Sequence, residues 1–368
     1  MHAVDVALSL GLVAIIAVSL LSNLLVLACF ACSAEIRKHV PGLFVLNLTC
    51  CNLLLTSCNM PLTVAGLLNH APPPPVGLCQ LAAFLDTFLT SNSMLSMAAL
   101  SIDRWLAVVF PLSYHSRMRR RDAVLALTYA WFHSLGFSVA PACLSWLGYH
   151  QPTASCTLYD STANSASSRA HFAAYTVSMH ALTFLLVLVV LCITYLKVLR
   201  VARFHCKRID VITMQTLVLL VDIHPSVRQR CLEEQKKRRQ RATRKISTFI
   251  GTFVICFTPY VITRVVELFV DVPISPYWGV LCKSLSYSKA ACDPFVYSLL
   301  RHQYRQTCRD LVHRFIQKQT INSSIQQQEN GGLQKAVNSA KTEKPRQTEK
   351  STAKCTTKPE NIEAGSTG

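Results

Sequence analysis

The sequence predicts an all-α membrane protein, a bundle of seven transmembrane helices followed by a short amphipathic helix. Of the 368 residues, 51% are apolar and only 15% are charged, which is too apolar for a soluble domain of this length. The apolar residues fall into seven runs long enough to cross a bilayer. The basic residues, which produce a net charge of +18, lie between these runs and in the C-terminal part of the chain. Because the basic residues are not spread over one face of a soluble domain, the net charge does not indicate a nucleic acid as a partner.

Each run approaches or exceeds the length of about 20 residues that a spanning helix needs. Helix is expected because lipid offers no partner to an unpaired backbone group. The first run lacks a basic leader and is too long for the apolar core of a signal peptide, so it also counts as a helix. The seven runs comprise residues 6–31, 43–68, 79–110, 123–147, 171–201, 246–270 and 278–300.

Lysine and arginine are unevenly distributed over the connections between the runs. Basic clusters follow the first, third and fifth runs, whereas residues 69–78 and 271–276 contain no lysine or arginine. The positive-inside rule therefore predicts an extracellular N-terminus and a cytoplasmic C-terminus. Such clusters attract anionic lipid in any membrane protein, so by themselves they indicate only the bilayer as a partner.

The chain after the seventh run is predicted to have two parts. Apolar and basic residues interleave up to residue 315, a pattern typical of an amphipathic helix on the inner leaflet. Residues 316–368 are rich in polar residues and contain no aromatic residue, so we expect a disordered cytoplasmic tail. The predicted domains are therefore a membrane domain over residues 1–315 and a tail over residues 316–368.

Most of the 16 cysteines lie inside the apolar runs or beside the basic connections, where free thiols are expected. Two others would face an oxidising compartment. Cys79 opens the third run, and Cys156 lies in the connection between the fourth and fifth runs. A disulfide between them is the simplest expectation.

The motifs along the chain resemble those of the rhodopsin-like (class A) G-protein-coupled receptors. Asp103-Arg104-Trp105 closes the third run, and Asp293-Pro294-Phe295-Val296-Tyr297 lies in the seventh. Further residues match in the family's order, namely Asn23, Leu46-Asn47-Leu48, Cys79, Trp131, Cys156, Tyr195 and Phe257-Thr258-Pro259. The resemblance covers about residues 8–315. It implies a multi-pass receptor of the plasma membrane that activates a heterotrimeric G protein.

Within this family, residues 84–105, 202–242 and 293–305 resemble a small subgroup of two orphan receptors. The resemblance to this subgroup implies high activity without a ligand. It also implies coupling to a stimulatory G protein, which raises cyclic AMP. Arrestin and receptor kinases are expected as further partners of the tail.

A first predicted site lies in the outer half of the third run, where the ionisable Asp86 indicates a functional role. Asp86 and Tyr287 match residues with which receptors for biogenic amines bind an ammonium group. Lys283 could instead pair with Asp86, and this internal pair is the favoured interpretation over an amine ligand. The predicted ligand site comprises Asp86, Thr90, His180, Thr183, Phe257, Tyr260, Arg264, Lys283 and Tyr287.

A second predicted site contacts the G protein at the cytoplasmic ends of the helices. Arg104 matches the family's contact residue, although an arginine there could also simply reach the headgroups. In resting relatives an acid at the base of the sixth helix often holds this arginine. Arg239 occupies that position here, so the restraint is missing. The site comprises Asp103, Arg104, Leu112, Tyr195, Arg239 and Tyr297.

A third predicted cluster differs from the family at its sodium site, where the acid of the second helix is Asn52. Lys289 lies four residues before Asp293 on one helix face, so its ammonium group could replace the ion and make the receptor insensitive to sodium. The cluster comprises Asn52, Ser93, Lys289 and Asp293. Phe257 also replaces the family's tryptophan, and Val187 its proline. These changes together predict substantial basal signalling.

Other classes of protein fit the sequence less well. Phosphate-binding loops, metal-spaced His/Cys sets and nucleophile elbows are not recognisable, so we expect no enzyme, cofactor or metal site. The inverted repeats of a transporter are not visible either. A retinal-binding opsin is a further alternative because Lys289 lies on the seventh run. The lysine of opsins, however, corresponds to Tyr287 here.

Overall fold

The computed structural model describes residues 3–69, 74–160, 166–219, 225–270, 274–299, 304–314 and 316–317. Between residues 205 and 247, Glu233 has the only described side chain. The chain divides into two compact units, Met1–Leu311 and Val312–Gly368. The described residues of the second unit, 312–314 and 316–317, are helical, and the rest of the predicted tail lies outside the described part of the chain.

The described residues of the first unit form seven long helices, which we number in chain order, together with two short helices at Ala34–Lys38 and Tyr114–Arg117. The first four are Ala3–Cys32, Val40–Asn69, Val76–Val109 and Arg120–Cys143. The fifth comprises Ala166–His180, a π-helical segment at Ala181–Leu185, and Leu186–Leu219. The sixth is Pro225–Phe269, and the seventh is Pro276–Asp293 with a π-helical continuation at Pro294–Leu299. The predicted seven-helix bundle is confirmed.

The bundle exposes apolar residues and buries polar ones, as expected for a protein surrounded by lipid. Leu21 and Phe132 are each 71% exposed, whereas Asn23 and Asn92 are fully buried. Within the described residues, five stretches are long and apolar enough to cross a membrane by length and composition, namely Ala3–Cys32, Val40–Leu68, Arg120–Cys143, Ala166–Val201 and Thr248–Phe269. The third and seventh helices carry more polar residues, which lower their mean hydropathy.

Hydrogen bonds between polar side chains, of which Asn92 and Ser96 are buried, join the second, third and fourth helices. Trp131 Nε1 donates to Asn47 Oδ1 at 2.9 Å, and Asn47 Nδ2 donates to Asn92 Oδ1 at 2.6 Å and to Ser96 Oγ at 2.8 Å. Because a buried polar group without a partner is costly, this network favours one arrangement of the three helices.

The fourth helix ends earlier than the run 123–147 indicated. The backbone of Ser145 is left-handed (φ 60°), and Trp146 N donates to the Pro141 carbonyl oxygen at 2.9 Å. This is the hydrogen-bond pattern of a Schellman cap, which stops the helix at Cys143. The prediction of helix up to residue 147 was therefore wrong.

A β-hairpin follows this cap and was not predicted. Strand β1 (Leu147–His150) pairs antiparallel with β2 (Ser155–Leu158), and a 3₁₀ turn at Gln151–Thr153 joins them. The hairpin covers one end of the bundle, which we call the hairpin end. The opposite end, where the third helix finishes, is called the Arg104 end.

The hairpin is held against the third and the seventh helix. A disulfide joins Cys79 of the third helix to Cys156 of β2, with a Cα–Cα distance of 5.2 Å, so the predicted bridge is present in the structure. The turn approaches Gly279 of the seventh helix so closely that a Cβ atom there would lie 2.1 Å from the Pro152 carbonyl oxygen. The position therefore requires glycine.

A further helix begins at Tyr304 after the seventh helix, and residues 304–311 of it belong to the first unit. Tyr304 is buried, and Cys308 and Leu311 pack against the core, whereas Arg305 and Arg309 are exposed. The segment is therefore amphipathic, as predicted.

Candidate functional site

A cavity of about 50 Å³ lies between the helices below the hairpin. Eight of the nine predicted ligand-site residues line it, namely Asp86, Thr90, His180, Thr183, Phe257, Tyr260, Arg264 and Lys283. The ninth, Tyr287, lies behind the wall, and its hydroxyl donates to Asp86 Oδ1 at 3.4 Å. Such a volume holds about one or two water molecules. Typical ligand pockets measure about 300 Å³ or more.

The structure brings together the two groups of the predicted internal pair. Lys283 Nζ donates to Asp86 Oδ2 at 2.6 Å, and the two side chains are 2% and 8% exposed. Each charge of such a buried pair compensates the other, so loss of either side chain would leave an uncompensated charge in the interior. The lysine thus occupies the position beside Asp86 that an amine ligand would need.

The hairpin forms the roof of the cavity. Thr157 and Leu158 of β2 belong to its lining. The Thr157 hydroxyl lies 3.2 Å from the Tyr260 hydroxyl, and the Leu158 carbonyl oxygen accepts a hydrogen bond from Arg264 Nη2. Two residues of the sixth helix therefore hold the roof in place.

A charged cluster of His150, Arg264 and Glu267 lies next to this roof. Only Arg264 was among the predicted site residues, and the cluster itself was not predicted. His150 Nε2 lies 2.7 Å from Glu267 Oε1 and 3.0 Å from Arg264 Nη1, and Arg264 also pairs with Glu267. Burial lowers the pKa of His150, which is 2% exposed. Glu267 could have been found, because an acid three residues after an arginine in a spanning run indicates a paired charge. Nothing in the loop sequence singles out His150.

The structure assembles three of the four residues of the predicted internal cluster. Lys289 Nζ donates to Asp293 Oδ2 at 2.5 Å, and Asn52 Nδ2 donates to the same oxygen at 3.1 Å. Asn52 Nδ2 also lies 3.4 Å from Asn23 Oδ1. Ser93 is buried on the third helix but forms no described hydrogen bond with these residues. The ammonium group of Lys289 therefore neutralises Asp293.

Aromatic side chains connect the cavity with the Arg104 end. Phe257, Phe253 and Phe249 follow one another at four-residue spacing on the sixth helix. The rings of Phe257 and Phe253 lie 5.3 Å apart. Phe249 is 4.4 Å from the ring of Tyr195 and 4.6 Å from that of Tyr297. Because Phe249 and Phe257 belong to one helix, a displacement of the sixth helix near the cavity would also shift Phe249 against both tyrosines.

At the Arg104 end, Arg104 Nη2 forms an ion pair with Asp103 Oδ2 at 2.8 Å, and the Tyr114 hydroxyl donates to Asp103 Oδ1 at 2.6 Å. An open cavity of about 240 Å³ lies beside Arg104 and Tyr114. Leu112 is fully exposed. The side chain of Arg239 lies outside the described part of the structure, so its predicted position relative to Arg104 stays a prediction.

Among the residues that the structure describes, no group of three or more His, Cys, Asp or Glu side chains is placed to hold a metal ion. The charged groups of the site are instead neutralised by one another.

Comparisons with known proteins agree with this architecture. Residues 22–297 match the family described as 7 transmembrane receptor (rhodopsin family). The chain is 64% identical to G-protein coupled receptor 26 of Homo sapiens over 324 residues, 88% of this chain and 95% of the relative. It is 52% identical to G-protein coupled receptor 78 of Homo sapiens over 307 residues, 83% and 84% of the two chains.

These two relatives are the orphan subgroup that the three stretches resemble. A more distant relative is the D(1B) dopamine receptor of Xenopus laevis, 26% identical over 298 residues, which are 76% of this chain and 64% of that receptor. The relatives are receptors and not enzymes. The chain belongs to the rhodopsin-like (class A) family of G-protein-coupled receptors, multi-pass proteins of the plasma membrane that act through a heterotrimeric G protein.

Proposed function

We propose that this receptor activates its G protein without an added ligand. The observation that carries the proposal is the ion pair of Lys283 with Asp86 at 2.6 Å, beside a cavity of about 50 Å³. The ammonium group of Lys283 fills the position in which amine receptors of the family bind their ligand, so activity does not require an ammonium group from outside the chain. A ligand-gated amine receptor is the alternative, favoured by Asp86 and Tyr287 and by the similarity to a dopamine receptor.

Two further features support basal activity. The sodium ion that stabilises resting members of the family is replaced by Lys289, and the acid that would hold Arg104 is Arg239 in the sequence. The ion pair of Arg104 with Asp103 is retained, so the resting state keeps one restraint. Since each coupling of this kind is worth about 1–3 kcal/mol, the loss of two of them moves a minor active state toward a major one.

The orientation and partners belong to the same proposal. The hairpin end faces the extracellular space, where an oxidising environment supports the Cys79–Cys156 bridge, and the Arg104 end faces the cytosol. The choice of a stimulatory G protein rests on the subgroup resemblance. Arrestin and receptor kinases would act on the tail.

A G-protein activation panel without added ligand tests the proposal. Wild type, Arg104→Ala and Asp86→Ala are expressed at matched surface levels beside an empty vector. We expect wild type to activate the stimulatory subtype above vector, Arg104→Ala to return to the vector level, and Asp86→Ala to fall below wild type. Wild-type activity equal to vector at verified surface expression refutes the proposal, and a response only after an amine is added supports the ligand-gated alternative.

A further inference from the structure

Two free thiols touch at the Arg104 end of the bundle. Cys29 lies in the last turn of the first helix, and Cys308 lies in the helix that begins at Tyr304, which we call the Tyr304 helix. The two sulfur atoms are 3.2 Å apart, although 279 positions separate the residues in the chain. The contact is therefore made by the folded arrangement and not by neighbours along one helix.

Packing of the Tyr304 helix holds the two sulfur atoms together. Cys29 is fully buried in a hydrophobic core cluster, and the half-buried Cys308 packs against the same cluster. Tyr304 is also buried in this cluster, and Leu311 packs against it. The spacing of Tyr304, Cys308 and Leu311 puts them on one face of the helix. This apolar face presents Cys308 to Cys29.

The distance between the sulfur atoms suits the formation of a disulfide. A disulfide bond is about 2.05 Å long, so the sulfur atoms of Cys29 and Cys308 need to approach each other by about 1.2 Å. Thermal displacements of atoms in folded proteins are of this size, about 0.9–1.5 Å. The bridge can therefore form while the two helices keep their packing.

The two thiols differ in their access from solution. Arg305 and Arg309 are exposed, which places the Tyr304 helix at the boundary with water, and Cys308 on this helix is only half-buried. Cys29 is fully buried behind it. An accessible thiol with a second thiol beside it is the arrangement found in redox-sensing cysteines. Cys308 would be oxidised first, and Cys29 would react with the product.

We propose that Cys29 and Cys308 form a reversible redox site, the thiol clamp, which a small peroxide closes as a disulfide. This inference goes beyond the proposed function and does not depend on it. The bridge would join the Tyr304 helix to the first helix. Tyr304 and Ile36, which follows the first helix, both line the cavity beside Arg104. Closure of the clamp would therefore restrict the movement of two walls of this cavity relative to each other.

The reaction balances with hydrogen peroxide as the oxidant. The Cys308 thiolate attacks one peroxide oxygen, the O–O bond breaks, and a sulfenic acid forms at Cys308. The hydroxide that leaves takes up the proton that Cys308 released and becomes water. The Cys29 sulfur then attacks the sulfenic sulfur, the S–O bond breaks, and the leaving hydroxide takes the Cys29 proton. Two thiols are thus oxidised to one disulfide, and one peroxide is reduced to two water molecules.

The test maps disulfides in purified full-length receptor before and after treatment with hydrogen peroxide. Remaining thiols are alkylated, the protein is digested, and linked peptides are identified by mass spectrometry. We expect the Cys79–Cys156 bridge in every sample and a link between Cys29 and Cys308 only after peroxide. Reduced glutathione should then reopen the new link and leave Cys79–Cys156 closed, because structural disulfides resist glutathione. Unlinked Cys29 and Cys308 after peroxide overturn the proposal, and so does a link that glutathione leaves closed.

Serine variants are the matched controls, and the map of wild type decides even where a variant folds poorly. Cys29→Ser and Cys308→Ser each remove one sulfur atom at similar volume, so neither should link the Tyr304 helix to the first helix. Cys32→Ser replaces an exposed thiol three residues further along the first helix and should link like wild type. A bridge from Cys308 to Cys32 in wild type overturns the assignment of Cys29.

Amide hydrogen exchange measures what the bridge does to the fold. Exchange at residues 304–311 reports how often the Tyr304 helix opens. We expect peroxide to slow exchange there by about tenfold or more in wild type, because a disulfide commonly stabilises a contact by at least that factor. Exchange in Cys308→Ser should not change. Equal exchange rates before and after formation of the link overturn the role of the bridge as a clamp.

The state of Cys308 in cells gives a further decision. A cysteine on an amphipathic helix beside a membrane can instead carry an acyl chain in a thioester bond. Mass spectrometry of receptor isolated from cells should find Cys308 either as a free thiol or linked to Cys29. A Cys308 that is acylated in most of the molecules overturns the proposal, because its sulfur would not be available to peroxide.

Discussion

Replacement of Lys289 by alanine should convert a sodium-insensitive receptor into one that sodium stabilises. In the native protein, Lys289 Nζ lies 2.5 Å from Asp293 Oδ2, and the two residues are 3% and 4% exposed. The alanine variant leaves the Asp293 carboxylate buried without its cation. The remaining neighbours are Asn52 and, behind it, Asn23. Carboxylate and amide oxygens are suitable ligands for a hard cation such as sodium.

The size of the effect follows from the burial of the pair. Loss of one partner of a buried ion pair costs about 3–5 kcal/mol, because the other charge is left uncompensated. Sodium at ten times its dissociation constant would return about 1.4 kcal/mol of that loss. The variant should therefore be clearly less stable than wild type in sodium-free buffer and regain part of the difference in sodium.

The assay is the thermal unfolding midpoint of purified receptor, measured in sodium chloride and in choline chloride at equal ionic strength. Lys289→Met is the matched control, because it removes the charge but fills the space that an ion would need. We expect equal midpoints in both salts for wild type and for Lys289→Met, and a higher midpoint in sodium for Lys289→Ala. A sodium-dependent midpoint in wild type, or a Lys289→Ala variant as stable as wild type in choline, would refute the reasoning.

Three further predictions concern other parts of the structure. Gly279→Ala places a Cβ atom 2.1 Å from the Pro152 carbonyl oxygen, so thermal stability should fall by about 1–3 kcal/mol, whereas Gly77→Ala, with open space around it, should have no effect. Because burial lowers the pKa of His150 below its usual 6.5, the unfolded chain binds the proton more tightly. The contribution of neutral His150 to stability should then be fully present above pH 6.5 and be lost progressively below it. Unfolding midpoints measured between pH 7.5 and 5.5 should depend less on pH in His150→Gln than in wild type. Asp103→Asn removes the charge that pairs with Arg104, so basal nucleotide exchange should rise severalfold, and an unchanged or lower rate would contradict this role of the pair.

The sequence was sufficient for the seven helices because lipid permits few other structures for long apolar runs. The eight residues that line one cavity were assigned through the resemblance to the receptor family, because they come from four different helices and no spacing within one helix brings them together. The Lys289–Asp293 contact could be predicted from the residues alone, since helical spacing brings residues four positions apart onto one face. The helices and this contact depend on a regular period along the chain, whereas the cavity residues depend on the resemblance.

Features without such a period could not be predicted. The end of the fourth helix depends on the left-handed backbone of Ser145. Glycine at this position would have indicated such a conformation, whereas serine does not. The hairpin strands are only four residues each, too short for alternation to be recognised. The contacts of His150 and the approach of the Tyr260 ring to Lys283 join segments far apart in the chain, and one sequence does not specify such distances.

The close fit of Pro152 against Gly279 has a consequence for the rates at which molecules can enter and leave the cavity below the hairpin. Thr157 and Leu158 of the hairpin line this cavity, so a molecule that enters past the hairpin must wait until the turn lifts from the seventh helix, while Cys156 still ties the hairpin to the third. Association is then limited by a loop opening rather than by diffusion, and such openings take microseconds to milliseconds or longer. Departure requires the same opening. A compound that enters the cavity past the hairpin should therefore bind slowly and have a long residence time.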